Sequence, residues 1–222
     1  GIQRTLNIKS DGTRITKTIA DNINATSSQG NVTVTNTSDI KAHNNTTIAA
    51  AGKIDITNSS LVEAGNDITA TAAGDVTVDA STVKAGSDTV GIDTFDANDT
   101  IGDANLTSTT GSVYITNGST VISEDKDVNV TAYKDITFGA QGEAGVKVDG
   151  SVTVQGEHNV TFKSTNDNIV AEKTTMPTVT YGDRLTFDAA KNNIFTSQDS
   201  LKSVNVDYKA GESNRIYTQK DA

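Results

Sequence analysis

One pattern occurs three times in the first half of the chain: Gly30-Asn-Val-Thr-Val-Thr-Asn-Thr-Ser38, Gly52-Lys-Ile-Asp-Ile-Thr-Asn-Ser-Ser60 and Gly74-Asp-Val-Thr-Val-Asp-Ala-Ser81. The copies follow one another at a constant interval of 22 residues, which places Val32, Ile54 and Val76 at equivalent positions. A fixed period over successive units is the sequence signature of a repeat architecture, in which each unit packs against its neighbours.

Apolar and polar residues alternate within each copy, so neighbouring side chains point to opposite faces of a β-strand. A short strand cannot bury its apolar face alone, but equivalent strands of successive repeats can stack about 4.8 Å apart and share one inner row. A second apolar segment in each unit ends in Ala42, Ala64 or Ala85, which suits a narrow core. The glycine that opens each copy suits a corner where the chain bends or takes positive φ. We therefore predict an all-β fold, a parallel β-helix with about 22 residues per coil and roughly ten coils.

The composition of the chain favours strands over helices. Val and Ile number 20 and 18 against 5 Leu, and 35 Thr and 20 Asn occur among the 222 residues. β-Branched residues favour strands and Asn favours turns, so a helical bundle, a coiled coil and most α/β enzymes are excluded. An antiparallel β-sandwich is the alternative, since it shares the composition and the spacing of turns, but it does not keep one register at a fixed interval.

Charge and cysteine content limit the classes of partner and site. The net charge of −10 argues against nucleic acid and anionic membrane surfaces as partners. The chain has no Cys, which excludes disulfides and thiolate metal sites. No apolar run approaches the roughly 18 residues of a membrane span, and we expect no membrane insertion. The start, Gly1-Ile-Gln-Arg4, lacks the apolar region of a signal peptide, so we interpret the chain as a piece of a longer protein.

The period is interrupted between Gly74 and Gly111, and we place an inserted acidic loop at about 87–106. Solenoids accept such insertions at their corners, where they project from one face. We expect a solvated acidic loop. A calcium site is the alternative, with weak candidate ligands at Asp88, Asp93, Asp96 and Asp99.

The last part of the chain differs in composition. We predict regular coils over residues 1–162 and a less regular, aromatic-richer continuation or cap over 163–222. The first 94 residues contain no aromatic side chain, whereas Phe162, Phe187, Phe195 and Tyr208 lie in the last third. Wider coils that need larger core residues explain this shift. A recognition surface or cap is the alternative.

A search for catalytic chemistry finds no recognised motif. There is no nucleophile elbow, no phosphate-binding loop and no His-Glu-x-x-His sequence. His43 and His158 each lie in polar, turn-like sequence, and we interpret both as surface residues. Lys53 and Asp75 fall at adjacent positions of successive coils, which predicts a surface ion pair. We predict no catalytic, cofactor-binding or metal-binding residue, no cofactor, and no enzymatic activity.

The repeats resemble those of filamentous haemagglutinin-type exoproteins, which include two-partner-secreted adhesins and the stalks of contact-dependent inhibition toxins. The resemblance is good over 30–85 and fair over 111–162, and the motifs that carry it are Gly52-Lys-Ile-Asp-Ile and Gly74-Asp-Val-Thr-Val. It implies a right-handed parallel β-helix within a long secreted rod at the bacterial cell surface, a virulence-associated location. The secretion domain of that family has Asn-Pro motifs, and the single Pro177 excludes them here.

Three classes of function are consistent with these features. The leading expectation is a structural or adhesive shaft segment of a large secreted bacterial surface protein that attaches to host or neighbouring cells. Its partners would be neighbouring β-helix segments of the parent chain and a host or bacterial surface receptor. The alternatives are a β-helical polysaccharide-active enzyme, similar to a tailspike or lyase, and a self-assembling extracellular fibre subunit whose open strand edges pair end to end.

Overall fold

The computed structural model describes residues 5–9, 13–88, 102–139, 152–172, 174–179, 183–195 and 200–216. All regular structure in these residues is β-strand, and all strand pairs are parallel. The chain winds into a parallel β-helix with three sides, and each full coil contributes one strand to each side. The first side is a separate sheet of nine strands, and the other two sides join into a sheet of fifteen.

The first side contains every strand that opens a coil. Strands that are neighbours in this sheet belong to successive coils of the chain. The strands are β1 (Thr5–Lys9), β3 (Asn22–Ser27), β5 (Thr46–Ala50), β8 (Ile68–Ala72), β11 (Ala104–Ser108), β14 (Val128–Ala132), β17 (Val160–Ser164), β20 (Arg184–Ala189) and β23 (Asn205–Ala210).

The second and third sides are connected because β2 (Thr13–Ala20) and β4 (Val32–Ala42) run through both. The second side continues with β6 (Ile54–Thr57), β9 (Val76–Asp79), β12 (Val113–Thr116), β15 (Ile136–Gly139), β18 (Ile169–Ala171), β21 (Asn192–Phe195) and β24 (Ser213–Ile216). The third side continues with β7 (Leu61–Ala64), β10 (Thr82–Ala85), β13 (Thr120–Ser123), β16 (Val152–Gly156), β19 (Thr174–Pro177) and β22 (Ser200–Lys202).

These strands form nine coils, which confirms the predicted parallel β-helix. Coils 1 and 2 contain β1–β2 and β3–β4, coils 3 to 8 contain three strands each, and coil 9 contains β23 and β24. Paired residues on the first side, such as Thr46 and Ile68, are separated by one coil of sequence. The described coils are fewer than the predicted ten because two of them are long. Ala104 pairs with Ile68, 36 residues earlier, and Val160 pairs with Val128, 32 residues earlier.

The predicted inner rows are confirmed. Val32 pairs with Ile54, and Ile54 pairs with Val76, in adjacent parallel strands of the second side. All three side chains are fully buried. Ala42 pairs with Ala64 on the third side, and both are fully buried as well. The core is therefore a stack of β-branched and alanine rows that runs along the helix axis, as the period predicted.

The corner before the first side is held by a column of Asn and Asp side chains. In each coil a side-chain oxygen accepts a hydrogen bond from the backbone N–H at the equivalent position of the next coil. Six such bonds of 2.8–3.3 Å link Asn22, Asn45, Asp67, Asp103, Asp127, Asn159 and Arg184 in series. Corner N–H groups that would otherwise lack a partner are thus satisfied from one coil to the next.

The corner between the second and third sides is held by a buried column of serines. The Ser60 hydroxyl accepts a hydrogen bond from the Ser38 backbone N–H at 3.2 Å, and the Ser81 hydroxyl accepts one from Ser60 at 3.1 Å. Ser119 continues the column by accepting from Ser81. The turn before each serine uses left-handed backbone, for example at Asn58, where φ is 57°. Asn tolerates this conformation better than most residues, which explains its place in the repeat.

The glycines that open the repeats are explained by close packing. Positive φ occurs at Gly86, Gly102 and Gly118, and not at these glycines. A Cβ added at Gly74 would lie 3.0 Å from the backbone oxygen of Gly52 in the coil before. The glycines therefore stack directly at the corner before the second side, where a larger residue would push the coils apart.

Core side chains become larger toward the end of the chain. On the first side the inner row changes from Ala70 and Leu106 to Phe162 and Phe187, all of them buried. The rings of Phe162 and Phe187 stack with centroids 5.2 Å apart, and Phe187 also stacks on Tyr208 at 5.5 Å. These aromatic residues pack in the core. The predicted boundary at residue 162 falls inside β17, and sheet pairing continues across it.

The predicted acidic insertion is narrower than proposed. Residues 104–106 belong to β11, and Ala104 and Leu106 are fully buried because they continue an inner row. Residues 89–101 lie outside the described part of the chain. A second departure from the period was missed, between Gly139 and Val152. The residues Val152-Thr-Val154 show the same alternation as the start of a repeat, yet they lie in β16 on the third side, where Val154 pairs with Val121.

Deleting residues 89–101 is expected to leave the β-helix folded. The described ends of this segment are close, since a Cβ added at Gly102 would lie 3.5 Å from the Cα of Gly86. The cost of closing a loop grows only slowly with its length. We expect thermal unfolding within a few degrees of the parent chain. A loss of the strand signal in circular dichroism would contradict this expectation.

Candidate functional site

The first side of the solenoid presents an uncharged outer surface across coils 3 to 6. Outward residues alternate with buried ones along β5, β8, β11 and β14. The register of these strands aligns the outward residues in two columns parallel to the helix axis. We call this surface the threonine face; its eight residues are Thr47, Ala49, Thr69, Thr71, Asn105, Thr107, Asn129 and Thr131.

Hydroxyl groups of the threonine face make no hydrogen bond to the residues that the structure describes. In the described part of the chain, the side-chain hydroxyls of Thr69, Thr71 and Thr107 have no hydrogen-bond partner. The two asparagines are joined to each other, because the Asn129 amide donates to the Asn105 side-chain oxygen at 3.0 Å. On the second side, in contrast, the Thr116 hydroxyl donates to Asp79 at 2.7 Å. The hydroxyls of the threonine face are thus available to an external ligand.

The other two sides are charged in the same coils. On the second side Lys53 and Asp75 form the predicted surface ion pair, with 3.6 Å between Nζ and Oδ2. On the third side Lys84 pairs with Glu124 at 2.9 Å. Glu63 is 4 % exposed, and one of its oxygens accepts a hydrogen bond from the Ser87 hydroxyl. The threonine face is therefore a neutral strip on a strongly acidic molecule.

The Asp55 carboxyl on the second side is destabilised in its ionised form. Desolvation by surrounding groups raises the pKa of Asp55 above its ordinary value of 3.8, and the nearby Asp75 charge raises it further. Lys53 and a hydrogen bond from Thr77 oppose this rise without cancelling it. The residue pairs with Thr77 in the next coil and points outward.

Asp55→Asn is expected to make the protein more stable at neutral pH. Because the folded-state pKa is raised, the folded chain holds the proton more tightly than the unfolded chain. The contribution of this group to stability is thus fully present below pH 3.8 and is lost as pH rises through the folded-state pKa. The variant should melt close to the parent at pH 3 and higher than the parent at pH 7. Equal melting temperatures at both values would contradict the raised pKa.

One of the four weak calcium candidates lies in the part of the chain that the structure describes. Asp88 is exposed at the start of the insertion. Asp93, Asp96 and Asp99 lie outside the described residues. Within the described ranges, no group of three or more His, Asp or Glu side chains is arranged to bind a metal ion.

The two histidines lie far apart. His43 is exposed at the corner that precedes β5. His158 lies at the corresponding corner before β17, where its Nδ1 is 2.8 Å from an oxygen of Asp183 in the next coil. The side chains of His158 and Asp183 are each about one quarter exposed (24 % and 23 %). The sequence placed His158 at the surface but did not indicate its carboxylate partner, because the two residues are 25 positions apart.

The residues that the structure describes contain no helix with the length and hydropathy of a membrane span.

The threonine face was not predicted as a site. Its signal was present in the alternation of the strands that open each coil, as in Thr69-Ala-Thr71 and Asn129-Val-Thr131. The same alternation is ordinary for any strand with one buried face, so the pattern alone does not distinguish a binding surface from solvated sheet. The structure adds the alignment of the outward residues across four coils. It also shows that the threonine hydroxyls of these coils have no hydrogen-bond partner among the described residues.

Comparisons with known proteins do not assign the chain to a family: no family model, no curated protein and no solved structure matches it.

Proposed function

We propose that this chain is a structural and adhesive shaft segment of a large secreted bacterial surface protein that attaches to host or neighbouring cells. The supporting observation is the unbroken sheet of the first side, in which every strand from β3 to β23 is hydrogen-bonded to the strand of the preceding coil. Nine coils at about 4.8 Å each give a rod of roughly 43 Å. A sheet bonded along its axis resists bending, because each coil is supported by both neighbours.

Neighbouring β-helix segments of the parent chain are the first proposed partners of this shaft. Coil 9 supports this proposed partner, because the inward side chains of its first strand are only partly buried. Val206 and Tyr208 are half-buried, whereas Leu185 and Phe187 at the equivalent positions of coil 8 are buried. A further coil stacked on β23 would bury these side chains and pair its open edge.

A cell-surface receptor is the second proposed partner. We propose a location outside the cell, where the rod carries binding surfaces away from the membrane. The described side chains support binding in preference to turnover, because carboxylates such as Asp67, Asp103 and Asp127 are engaged by backbone N–H groups of the next coil.

The test is binding of the fluorescently labelled chain to epithelial and bacterial cells, measured by flow cytometry. The matched control is an acidic globular protein of similar size and charge. We expect saturable binding that unlabelled chain displaces. In parallel, the chain is incubated with acidic polysaccharides, and their length is followed by size-exclusion chromatography. Shortening of a polysaccharide that disappears when one carboxylate is replaced would favour the polysaccharide-active enzyme.

A further inference from the structure

We propose that the threonine face binds an uncharged, hydroxyl-rich polysaccharide, with the chain of the glycan lying along the two columns of outward residues. This inference rests on the adhesive function proposed above and names the chemical class of one partner. The columns contain five threonines, two asparagines and one alanine, and no charged residue. Threonine hydroxyls and asparagine amides both donate and accept hydrogen bonds, as the hydroxyls of a neutral sugar do.

The availability of the hydroxyl groups is the first support for this proposal. Thr71 and Thr107 lie side by side in paired strands, and neither hydroxyl bonds to another described residue. Comparable threonines elsewhere do have partners. Thr57 donates to Thr35 at 3.0 Å, and Thr110 donates to the backbone oxygen of Ala73 at 2.6 Å. The bonding capacity of the threonine face is therefore directed away from the protein.

Regular spacing is the second support. Residues of one column repeat at the strand spacing of about 4.8 Å, and the two columns are roughly 7 Å apart along each strand. The inner residues of the same strands, Ile68, Ala70 and Leu106 among them, are fully buried and fix the backbone. Such a surface does not need to rearrange to bind, which lowers the entropic cost of association. Many weak contacts along one polymer then add up through multivalency.

The net charge of the molecule and the area of the threonine face favour one class of ligand over the others. A molecule of net charge −10 repels nucleic acid and anionic glycans, whereas a neutral polymer approaches the uncharged strip without that penalty. A second copy of the chain carries the same net charge. Four strands of five residues also cover only about 320 Å², less than half of the roughly 800 Å² per partner of a stable protein interface. These features favour a neutral glycan over a dimer.

Beyond coil 6 the outward residues of the first side include charged side chains. On the same side, coil 7 presents Lys163 and coil 8 presents Asp188 at the outward positions. Coil 9 continues with Asp207 and Lys209. The neutral strip therefore ends at coil 6, so we expect the glycan contact to cover this part of the first side and not the whole rod.

The test is affinity electrophoresis of the full chain in gels that contain dextran, mannan or galactomannan, with alginate as the anionic comparison. Thr71→Val with Thr107→Val removes two neighbouring hydroxyls and keeps the β-branched shape that suits a strand. The matched control is Thr82→Val with Thr120→Val, an outward pair in coils 4 and 5 of the third side. We expect retardation by at least one neutral polysaccharide, weakened at least fivefold in the first variant and unchanged in the control.

The outcomes separate this inference from the adhesive function. Cell binding without retardation by any of the three neutral polysaccharides would overturn the glycan proposal and leave the adhesive role standing. Retardation that both variants weaken equally, or that neither weakens, would show that the glycan binds elsewhere. Retardation by alginate alone would contradict the role of charge. Failure of both glycan and cell binding would remove both proposals.

Discussion

Ile54→Asp is expected to abolish the folded state or lower the melting temperature severely. The side chain of Ile54 is fully buried between Val32 and Val76 of the adjacent coils. Burial of an isoleucine contributes roughly 1.5–3 kcal/mol. A carboxylate at this position finds no cation in the apolar row, so desolvation adds a cost of several kcal/mol. Each coil supports both neighbours, and the defect should spread along the solenoid.

The matched control for this substitution is Thr47→Asp in the same coil. Thr47 is exposed on the outer surface of the first side, next to residues without charge. A carboxylate there remains solvated, and substitutions of this kind change stability by about 0.5 kcal/mol or less. Thermal unfolding followed by circular dichroism compares the two variants. Similar melting temperatures for both would show that the row of Ile54 is not the interior of the fold.

Phe162→Ala has the second largest expected effect, about 3–5 kcal/mol of destabilisation. Phe162 is fully buried on the first side, and its ring lies 4.7 Å from that of Phe138 and 5.2 Å from that of Phe187. Removing it leaves a cavity and breaks an aromatic stack that extends through three coils. Denaturant unfolding measures the loss, which should appear as a lower midpoint.

Phe162→Leu is the graded variant of the same position. Leu106 occupies the same inner row two coils earlier, so leucine suits the backbone but does not fill the space of the phenylalanine ring. We expect an intermediate loss for this variant. The outward neighbour Thr161 provides the control, and Thr161→Ala should change the midpoint little. Equal effects of Phe162→Ala and Thr161→Ala would contradict the aromatic core.

The period predicted the β-helix because its physical cause is simple. Two apolar residues at every 22nd position, such as Val32 and Val34 followed by Ile54 and Ile56, can all be buried only if successive units stack in register. The rows paired as predicted. The Lys53–Asp75 contact followed from the same register, because it places residue 53 beside residue 75.

The corners and interruptions could not be predicted to the same depth. Ser38, Ser60 and Ser81 are common turn residues, and their burial as a column depends on left-handed turns that many sequences can form. The departure from the 22-residue period between Gly139 and Val152 was not predicted, because Gly150-Ser-Val-Thr-Val has the same pattern as the start of a repeat. Its alternation fits a strand on any side of the solenoid, so local pattern alone did not assign β16 to the third side.

The threonine face shows a similar limit for function. The sequence gives the residue types at its positions, whereas hydrogen-bond availability depends on neighbours in other coils. Thr116 and Thr107 lie in equivalent alternating patterns, yet only Thr116 has a side-chain partner, Asp79 in the previous coil. Such a distinction appears only when the register between coils is known.

The proposed shaft function depends most directly on continuity of the solenoid, and hydrogen–deuterium exchange measures that continuity. The backbone amides of β5, β8, β11, β14 and β17 bond across successive coils, on both sides of the two long coils. We predict slow exchange in all five strands, with similar opening free energies, as in one cooperative rod. Fast exchange in the strands on one side of residues 88–102, with slow exchange on the other, would show two independent bodies and contradict a continuous shaft.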